Sequence, residues 1–134
     1  MVSQAAARQM VKQGHGGAII ATSSISALVG GELQSHYTPT KAAVHSMMQS
    51  VSISLGKHNI RCNSIMPGTI LTDLTREVLD GTELAAYSLK RIPLGRFGTP
   101  DDIGQVAVFL ASDMARYVTG ASILVDGGMY VNLE

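Results

Sequence analysis

The run Ala18-Ile19-Ile20-Ala21-Thr22-Ser23 decides the fold of this chain. It is short, mostly apolar and preceded by glycines, and its residues do not alternate between apolar and polar. A strand without alternation is buried on both faces, which is typical of a parallel sheet. Two further strands are predicted at residues 60–66, which end at Pro67-Gly68, and at residues 121–125, which end at Asp126-Gly127-Gly128.

Helices are predicted between these strands from the helical spacing of apolar residues. They cover residues 4–13, residues 38 to about 57, and residues 100 to about 112. Thr38-Pro39 is a helix-start signal, with Thr38 as the capping residue and a proline in the first turn.

The remaining segments are a loop at residues 24–36 and a polar stretch at residues 72–96, which we interpret as a variable helical insert. Strands and helices therefore alternate along the chain, as they do in a doubly wound parallel α/β sheet. We expect residues 1–134 to form a single domain.

The composition excludes several classes of function. The 134 residues are 46% hydrophobic and 15% charged, with ten basic and ten acidic side chains, which indicates a globular protein without a nucleic-acid or anionic-membrane surface. The longest apolar runs fall far short of the roughly 20 residues of a membrane span, and we predict no signal peptide. Because Cys62 is the single cysteine, no internal disulfide can form, and we expect a cytoplasmic protein.

Tyr37 and Lys41 stand four residues apart at a predicted helix start. Helical geometry separates them by about 40° in direction and about 6 Å along the axis, so they share one face. A phenol exchanges protons poorly near pH 7 until a nearby cation stabilises the phenolate, and an ammonium one turn away is such a cation. Taken alone, the pair is weak evidence and favours an ordinary surface helix start over a catalytic one.

Ser24 strengthens the catalytic interpretation because it follows a buried strand. The carboxyl ends of parallel strands are where α/β proteins bind ligands, and Pro67-Gly68 ends a second strand at the same edge. A serine hydroxyl there can hydrogen-bond a substrate oxygen while the phenol transfers a proton. Ser26 is a second candidate for a substrate contact, although a local serine turn explains it as well.

Two other kinds of site find little support. A serine-hydrolase reading fails because no G-x-S-x-G turn surrounds the serines at positions 23, 24 and 26. The four histidines show no metal-ligand spacing, so we predict no metal site and interpret them as solvated or packing residues, with the exception of His36, which precedes Tyr37 at the mouth of the site.

The sequence resembles the short-chain dehydrogenase/reductase family through several ordered motifs that together span most of the chain. They are Ser24, Tyr37-Thr38-Pro39-Thr40-Lys41, the run from Asn63 to Asp73, Pro93-Leu94-Gly95-Arg96 and Val125-Asp126-Gly127-Gly128. The resemblance implies a Rossmann-type fold and hydride transfer between an alcohol and a carbonyl with NAD or NADP. The amino-acid sequence of residues 56–74 is most similar to that of sugar dehydrogenases of this family.

The resemblance also assigns roles to individual residues. It makes Tyr37 the general acid/base, has Ser24 position the substrate oxygen, and has Lys41 hold the nicotinamide ribose while stabilising the phenolate. The segment expected to line the nicotinamide includes Pro67, Gly68, Ile70 and Thr72. Residues 73–96 match the family's substrate loop. The resemblance also implies a homodimer or homotetramer whose interface is formed by the helix that begins at Thr38 and the helix before it.

The motifs that mark the first half of the family pattern are missing from this chain. The glycine-rich Thr-Gly-x-x-x-Gly-x-Gly turn and the Asn-Asn-Ala-Gly segment, which help bind the cofactor, do not occur. We therefore expect the C-terminal part of a Rossmann-type sheet that lacks the N-terminal strands, with the strand at residues 18–23 unpaired on one edge. Such a chain alone should bind dinucleotide poorly.

Two functional hypotheses follow from this pattern. The favoured one is an NAD(P)-dependent oxidoreductase that interconverts an alcohol and a carbonyl of a small molecule, in particular at C1 of a sugar. The alternative is a non-catalytic fragment that acts only through a helical dimer interface, or a truncated gene model without independent activity.

Overall fold

The computed structural model describes residues 2–133. The helices and strands within that range, in chain order, are α1 Val2–Gln13, β1 Gly17–Thr22, α2 Thr38–Leu55, β2 Ile60–Pro67, α3 Asp73–Leu79, α4 Glu83–Arg91, α5 Pro100–Ala111 and β3 Ser122–Val125. Short 3₁₀ turns cover Ile25–Ala27, Gly56–His58 and Asp113–Ala115.

The three strands form a parallel sheet in the order β1-β2-β3. Gly17 pairs with Ile60 at one end of β1, and Thr22 pairs with Ile65 at the other. Pro67 pairs with Val125, so the carboxyl ends of all three strands lie at the same edge of the sheet. The parallel α/β prediction is confirmed, and β1 is an edge strand of the sheet that residues 2–133 form.

Helices cover both faces of the sheet, which makes the fold doubly wound. On one face, Ile19, Ile60 and Cys62 pack with Met48 of α2, and side chains of α1 close the cluster. On the other face, Ile65 packs with Leu110 of α5. The central strand β2 is buried along most of its length because it is covered from both sides.

Buried polar side chains fix the position of the outer strand β3. Asn63 of β2 is 1% exposed, and its Nδ2 donates to the Val118 carbonyl at 2.9 Å. Its Oδ1 accepts from the Ala121 N–H at 3.0 Å. One amide therefore satisfies both a donor and an acceptor of the turn that leads into β3.

The main helix boundaries agree with the sequence predictions to within two residues, but the cap of α2 differs. Thr38 is the first residue of α2 rather than its cap, and Tyr37 holds the cap position without a side-chain bond to the helix. The chain is already turning at residues 34–37, since the Tyr37 and Thr38 N–H groups both donate to the Gln34 carbonyl. A side-chain cap is therefore less needed here.

The polar insert is more regular than its composition suggests. Residues 72–96 contain α3 and α4, each begun by a threonine whose hydroxyl accepts from a backbone N–H three residues on. Thr72 caps α3 through Thr75, and Thr82 caps α4 through Ala85. Among residues 2–133, no helix is both long and apolar enough to cross a bilayer.

Candidate active site

A cleft of about 890 Å³ opens at the carboxyl edge of the sheet. Ser24 lies in it two residues after the end of β1, Tyr37 at the start of α2, and Gly68 directly after β2. The structure thus brings together the three segments that the sequence placed at this edge. Parallel topology explains the convergence, because each segment leaves the sheet from the same end.

Tyr37 and Lys41 occupy one side of α2, as the four-residue spacing predicts. The Lys41 Nζ lies 5.4 Å from the centroid of the Tyr37 ring. Tyr37 is 37% exposed and lines the cleft. A cation at this distance is attracted by the ring face.

Lys41 is anchored to the end of β1 by two hydrogen bonds. Its Nζ donates to the Thr22 carbonyl at 3.2 Å, and the Ser23 Oγ donates to the Lys41 carbonyl at 2.8 Å. Ser23 is buried, and its own N–H donates to the Ile65 carbonyl. The first turn of α2 is therefore tied directly to the sheet, which fixes where the Lys41 ammonium lies.

Ser23 is a positioning residue that the sequence reasoning missed. The adjacent pair Ser23-Ser24 was a usable signal, because successive side chains at a strand end point in opposite directions. One serine of such a pair faces the ligand cleft while the other faces the covering helix. The structure shows this division, with Ser24 in the cleft and Ser23 against α2.

Ser24 holds an extended backbone conformation and caps the short turn at Ile25–Ala27. Its Oγ accepts a hydrogen bond from the Ser26 N–H at 3.1 Å. The hydroxyl proton remains available as a donor, so Ser24 can donate to a substrate oxygen. Ser26 also lines the cleft, which keeps it a candidate for a ligand contact.

Gly68 permits the close approach of two segments at the floor of the cleft. A Cβ added at this position would lie 2.6 Å from the Asp126 Cβ and 2.8 Å from the Asp126 Cα. Its N–H donates to the Val125 carbonyl at 3.1 Å. Pro67, which precedes it, is the last residue of β2, so the turn after the strand runs tightly against the end of β3.

Ile70 and Thr72 lie outside this cleft. Ile70 lines a separate cavity of about 460 Å³ that also contains Arg96 and Asp102. Thr72 caps α3, and its N–H donates to the Thr75 Oγ1, which in turn donates to the Ile70 carbonyl at 2.8 Å. Within residues 2–133, Ile70 and Thr72 belong to one bonded turn at the beginning of α3, beside the cleft rather than in it.

An ion pair stiffens the neighbouring turn that leads into α5. Both guanidinium Nη atoms of Arg96 donate to the Asp102 carboxylate at 2.8 Å, and the same carboxylate accepts from the Thr99 N–H at 2.7 Å. The Arg96 hydrogen bond, followed by those from Thr99, lowers the pKa of Asp102. The loop at residues 96–99 is therefore held against the beginning of α5.

The opposite wall of the cleft comes from α4 and from the segment after β3. The residues that α4 contributes are Leu84, Tyr87, Ser88 and Arg91, and the later segment contributes Met129 and Tyr130. The α4 residues lie within residues 73–96, which the sequence matched to the family's substrate loop, and their spacing is that of one helix face, whereas Met129 and Tyr130 were missed. Which way that face points depends on tertiary packing.

His36 lines the cleft next to Tyr37, whereas His45 and Cys62 have structural contacts elsewhere. His45 contacts the Ser122 Oγ through its Nδ1 at 2.6 Å, bridging α2 and β3. Burial raises the pKa of the Cys62 thiol, which packs in the core on the α1 and α2 face. No group of three or more potential metal ligands is found among residues 2–133.

The fold and the site together define a doubly wound α/β protein with a serine hydroxyl and a lysine-paired tyrosine at the carboxyl edge of its sheet. The family model described as "Enoyl-(Acyl carrier protein) reductase" matches residues 1–130. The chain belongs to the short-chain dehydrogenase/reductase family, as its motifs predicted.

Individual relatives are similar over almost the whole chain. It is 67% identical to an L-rhamnose 1-dehydrogenase (NAD(P)(+)) from Sphingomonas sp. (strain SKA58) over 98% of this chain and 52% of the relative. A short-chain type dehydrogenase/reductase structure from Mycobacterium ulcerans is 41% identical, with a TM-score of 0.91 over 95% of this chain and 46% of the other.

A second structure has a bound dinucleotide. A putative 2-deoxy-D-gluconate 3-dehydrogenase from Agrobacterium tumefaciens, with bound NADP, is 35% identical, with a TM-score of 0.90 over 96% of this chain and 52% of the other. The chain thus spans about half the length of the curated relatives and solved structures that it matches.

Proposed function

We propose that this chain carries the catalytic residues of an NAD(P)-dependent oxidoreductase that interconverts an alcohol and a carbonyl. The observation that supports this most strongly is the common cleft of Ser24 and Tyr37, with the Lys41 ammonium 5.4 Å from the tyrosine ring. A hydroxyl donor, a phenol and a cation are the groups needed to hold a substrate oxygen and move its proton.

In this proposal each side chain acts on the substrate oxygen or on its proton. In the oxidative direction, the Tyr37 Oη takes the proton of the substrate hydroxyl as the carbonyl forms. The Ser24 hydroxyl donates to the same oxygen and holds it in reach of the phenol. The Lys41 ammonium stabilises the phenolate, and the bonds that Ser23 and Thr22 make to Lys41 keep that ammonium in place.

The residues present fit the nicotinamide end of a dinucleotide. Of the three N–H donors of the Lys41 ammonium, one goes to the Thr22 carbonyl among the described hydrogen bonds, so others can reach ribose hydroxyls. In this proposal the nicotinamide lies against Pro67 and Gly68 at the end of β2 and against the bonded turn of Ile70 and Thr72 beside the cleft. When bound, NAD or NADP supplies the acceptor or donor of hydride.

The substrate that we propose is a neutral sugar oxidised at C1, with L-rhamnose as the first candidate. The similar Sphingomonas and Azotobacter vinelandii proteins are L-rhamnose 1-dehydrogenases. The cleft is also suited to a polyol, because Ser24, Ser26, Ser88 and Tyr130 offer hydrogen-bonding groups along both of its walls. Such a lining matches a ligand with many hydroxyls.

We further propose that residues 1–134 belong to one domain, that its substrate loop covers residues 73–96, and that α2 takes part in a homodimer or homotetramer. Exposed Ile53 on α2 supports such an interface. The single buried cysteine suits a reducing cytoplasm. A non-catalytic fragment is the second candidate, favoured by the match to only about half of each relative.

The test begins with the open reading frame. The gene is read upstream of residue 1, and the protein is purified with any in-frame extension that carries a glycine-rich turn. L-Rhamnose and other aldoses are then supplied with NAD or NADP, and formation of the reduced nicotinamide is followed by absorbance. Turnover of a sugar supports the proposal. A stop codon directly upstream, together with no turnover by the chain, favours the non-catalytic alternative.

A further inference from the structure

Arg91 joins α4 to the segment that follows β3. Its Nη2 donates to the Asn132 carbonyl at 3.3 Å, and the Asn132 Nδ2 donates back to the Arg91 carbonyl at 3.2 Å. The two bonds connect residues that are 41 positions apart in sequence. The end of α4 and this later segment therefore make one continuous wall of the cleft, with Tyr130 beside them.

The Arg91 guanidinium is held at a defined place in that wall. It lies 5.9 Å from the centroid of the Tyr87 ring, one turn earlier on α4, while its Nη2 is bonded to the Asn132 carbonyl. A guanidinium that lies near an aromatic ring and is bonded through one nitrogen loses less freedom when it binds a ligand than an unrestrained one does. Arg91 is half-buried and lines the cleft.

Most of its hydrogen-bonding capacity is unused. A guanidinium has five N–H donors, and among the described hydrogen bonds of its side chain one goes to the Asn132 carbonyl. The remaining donors belong to a group that faces a cleft rather than bulk solvent. A ligand in the cleft can therefore accept from Arg91 with a charge-assisted bond.

We propose that Arg91 is a specificity-determining residue that donates to a sugar hydroxyl away from the reacting carbon. This inference rests on the proposed function, in which Tyr37 and Ser24 hold the reacting oxygen at the other wall. Because Arg91 lies on α4 across the cleft, its partner is a hydroxyl at another carbon of the same sugar.

The charges of the cleft favour a neutral partner over a carboxylate. Glu32 lines the same cleft, so the charged lining near a ligand is of mixed sign and does not select an anion. A hydroxyl can accept from the guanidinium and donate to an acceptor, so a neutral polyol uses both charges. The inference therefore assigns neutral sugars, rather than sugar acids, to this wall.

The experiment compares two charge-removing variants on α4 in the protein purified for the activity test above. Arg91→Gln removes the proposed donor, and Lys90→Gln removes a positive charge from an exposed neighbour that does not line the cleft. L-Rhamnose and its 2-, 3- and 4-deoxy analogues are supplied to the wild type and to both variants. The melting temperature of each variant is measured in parallel.

We expect Arg91→Gln to lower kcat/KM for L-rhamnose by about tenfold or more, chiefly through KM, as loss of a bond to a charged donor does. For the wild type, one deoxy analogue should have a much lower kcat/KM than L-rhamnose, because it lacks the hydroxyl that Arg91 contacts. For Arg91→Gln, the same analogue and L-rhamnose should have similar kcat/KM values. Lys90→Gln should behave as the wild type does.

Three outcomes separate the possibilities. The inference is overturned if the wild type turns over the sugars but Arg91→Gln lowers kcat/KM equally for every substrate, or does not lower it at all. The proposed function then still stands. Absence of sugar turnover in the wild type removes the proposed function and this inference with it. If Arg91→Gln melts well below the wild type, Arg91→Lys is used in its place. In Arg91→Lys, the drop in kcat/KM from L-rhamnose to the same deoxy analogue should be smaller than in the wild type.

Discussion

At the residue scale, the site depends on a few side chains whose partners lie far away in sequence. Lys41 was predicted from its spacing to Tyr37, because four residues of helix bring two side chains to one face. The bond from Ser23 to the Lys41 carbonyl was not predictable in the same way. It requires α2 to pack back on the end of β1, and no local pattern specifies that packing.

Asn63 illustrates how one buried side chain positions an element. Replacing it with alanine leaves the Val118 carbonyl and the Ala121 N–H without their partner in a buried setting. We expect Asn63→Ala to lower the free energy of unfolding by about 3 kcal/mol, since each unsatisfied buried group costs about 1–3 kcal/mol. Urea denaturation followed by circular dichroism measures the change.

Asn59 supplies the matched control for that experiment. It is exposed and adopts a left-handed backbone with φ of 55°, a conformation that glycine adopts readily. Asn59→Gly should therefore change the free energy of unfolding by less than about 1 kcal/mol. An Asn63→Ala protein as stable as Asn59→Gly would contradict the role given to Asn63.

At the element scale, long elements were predicted better than short ones. The boundaries of α2 and β2 followed from periodicity and from proline and glycine signals that span many residues. Within residues 72–96, α3 and α4 were merged into one insert, because α3 has only seven residues and shows little periodicity. The threonines at positions 72 and 82 were the available signals, as N-caps of both helices.

The residues of α4 that line the cleft show what sequence spacing cannot predict about a functional site. Tyr87, Ser88 and Arg91 share a helix face by spacing, and Ser88 is only 6% exposed. Spacing indicates that such a face exists but not that it turns toward Ser24 and Tyr37. That orientation is set by contacts of α4 with the segment after β3, including the pair of Arg91 and Asn132.

The beginning of α5 carries a pH-dependent contribution to stability. Asp102 accepts from Arg96 and Thr99, and these bonds lower its pKa below the value in an unfolded chain. A lowered folded-state pKa gives stability that is fully present above the unfolded value of about 4 and is lost as the pH falls toward the folded value. Asp102→Asn removes this contribution.

We therefore expect wild type and Asp102→Asn to differ most in melting temperature near pH 7 and to converge steadily below about pH 4. Asp101→Asn is the control, because Asp101 lies one residue earlier and is not paired with Arg96. Thermal melts across pH 3 to 7 provide the comparison. A gap between wild type and Asp102→Asn that widens toward low pH would contradict this account.

At the scale of the whole molecule, the edge strand β1 is the feature with the largest consequences. In the sheet that residues 2–133 form, one side of β1 has no partner strand, although Ile19 and Ile20 are apolar and typical of a strand inside a sheet. An unpaired apolar edge promotes association. The parallel fold and the position of this strand were both predictable, because an unalternating apolar run indicates a buried strand.

The 134-residue chain alone should bind NADPH with a Kd above the low-micromolar range. The residues that fit a cofactor lie at its nicotinamide end, around Lys41 and Gly68, and the sequence has no glycine-rich turn for the pyrophosphate. Fluorescence titration of the purified chain measures the affinity. Reduced nicotinamide mononucleotide serves as the control and should bind about as weakly as NADPH, whereas low-micromolar binding of NADPH would contradict this expectation.

The central claim is that Tyr37 transfers the proton of the substrate hydroxyl, and Tyr37→Phe tests it most directly. The variant is compared with Tyr117→Phe, which alters a fully exposed tyrosine outside the cleft. In the protein that turns over a sugar, we expect Tyr37→Phe to lower kcat by about 10²–10⁴-fold, with an unchanged circular dichroism spectrum and melting temperature. Turnover close to that of Tyr117→Phe would contradict the claim.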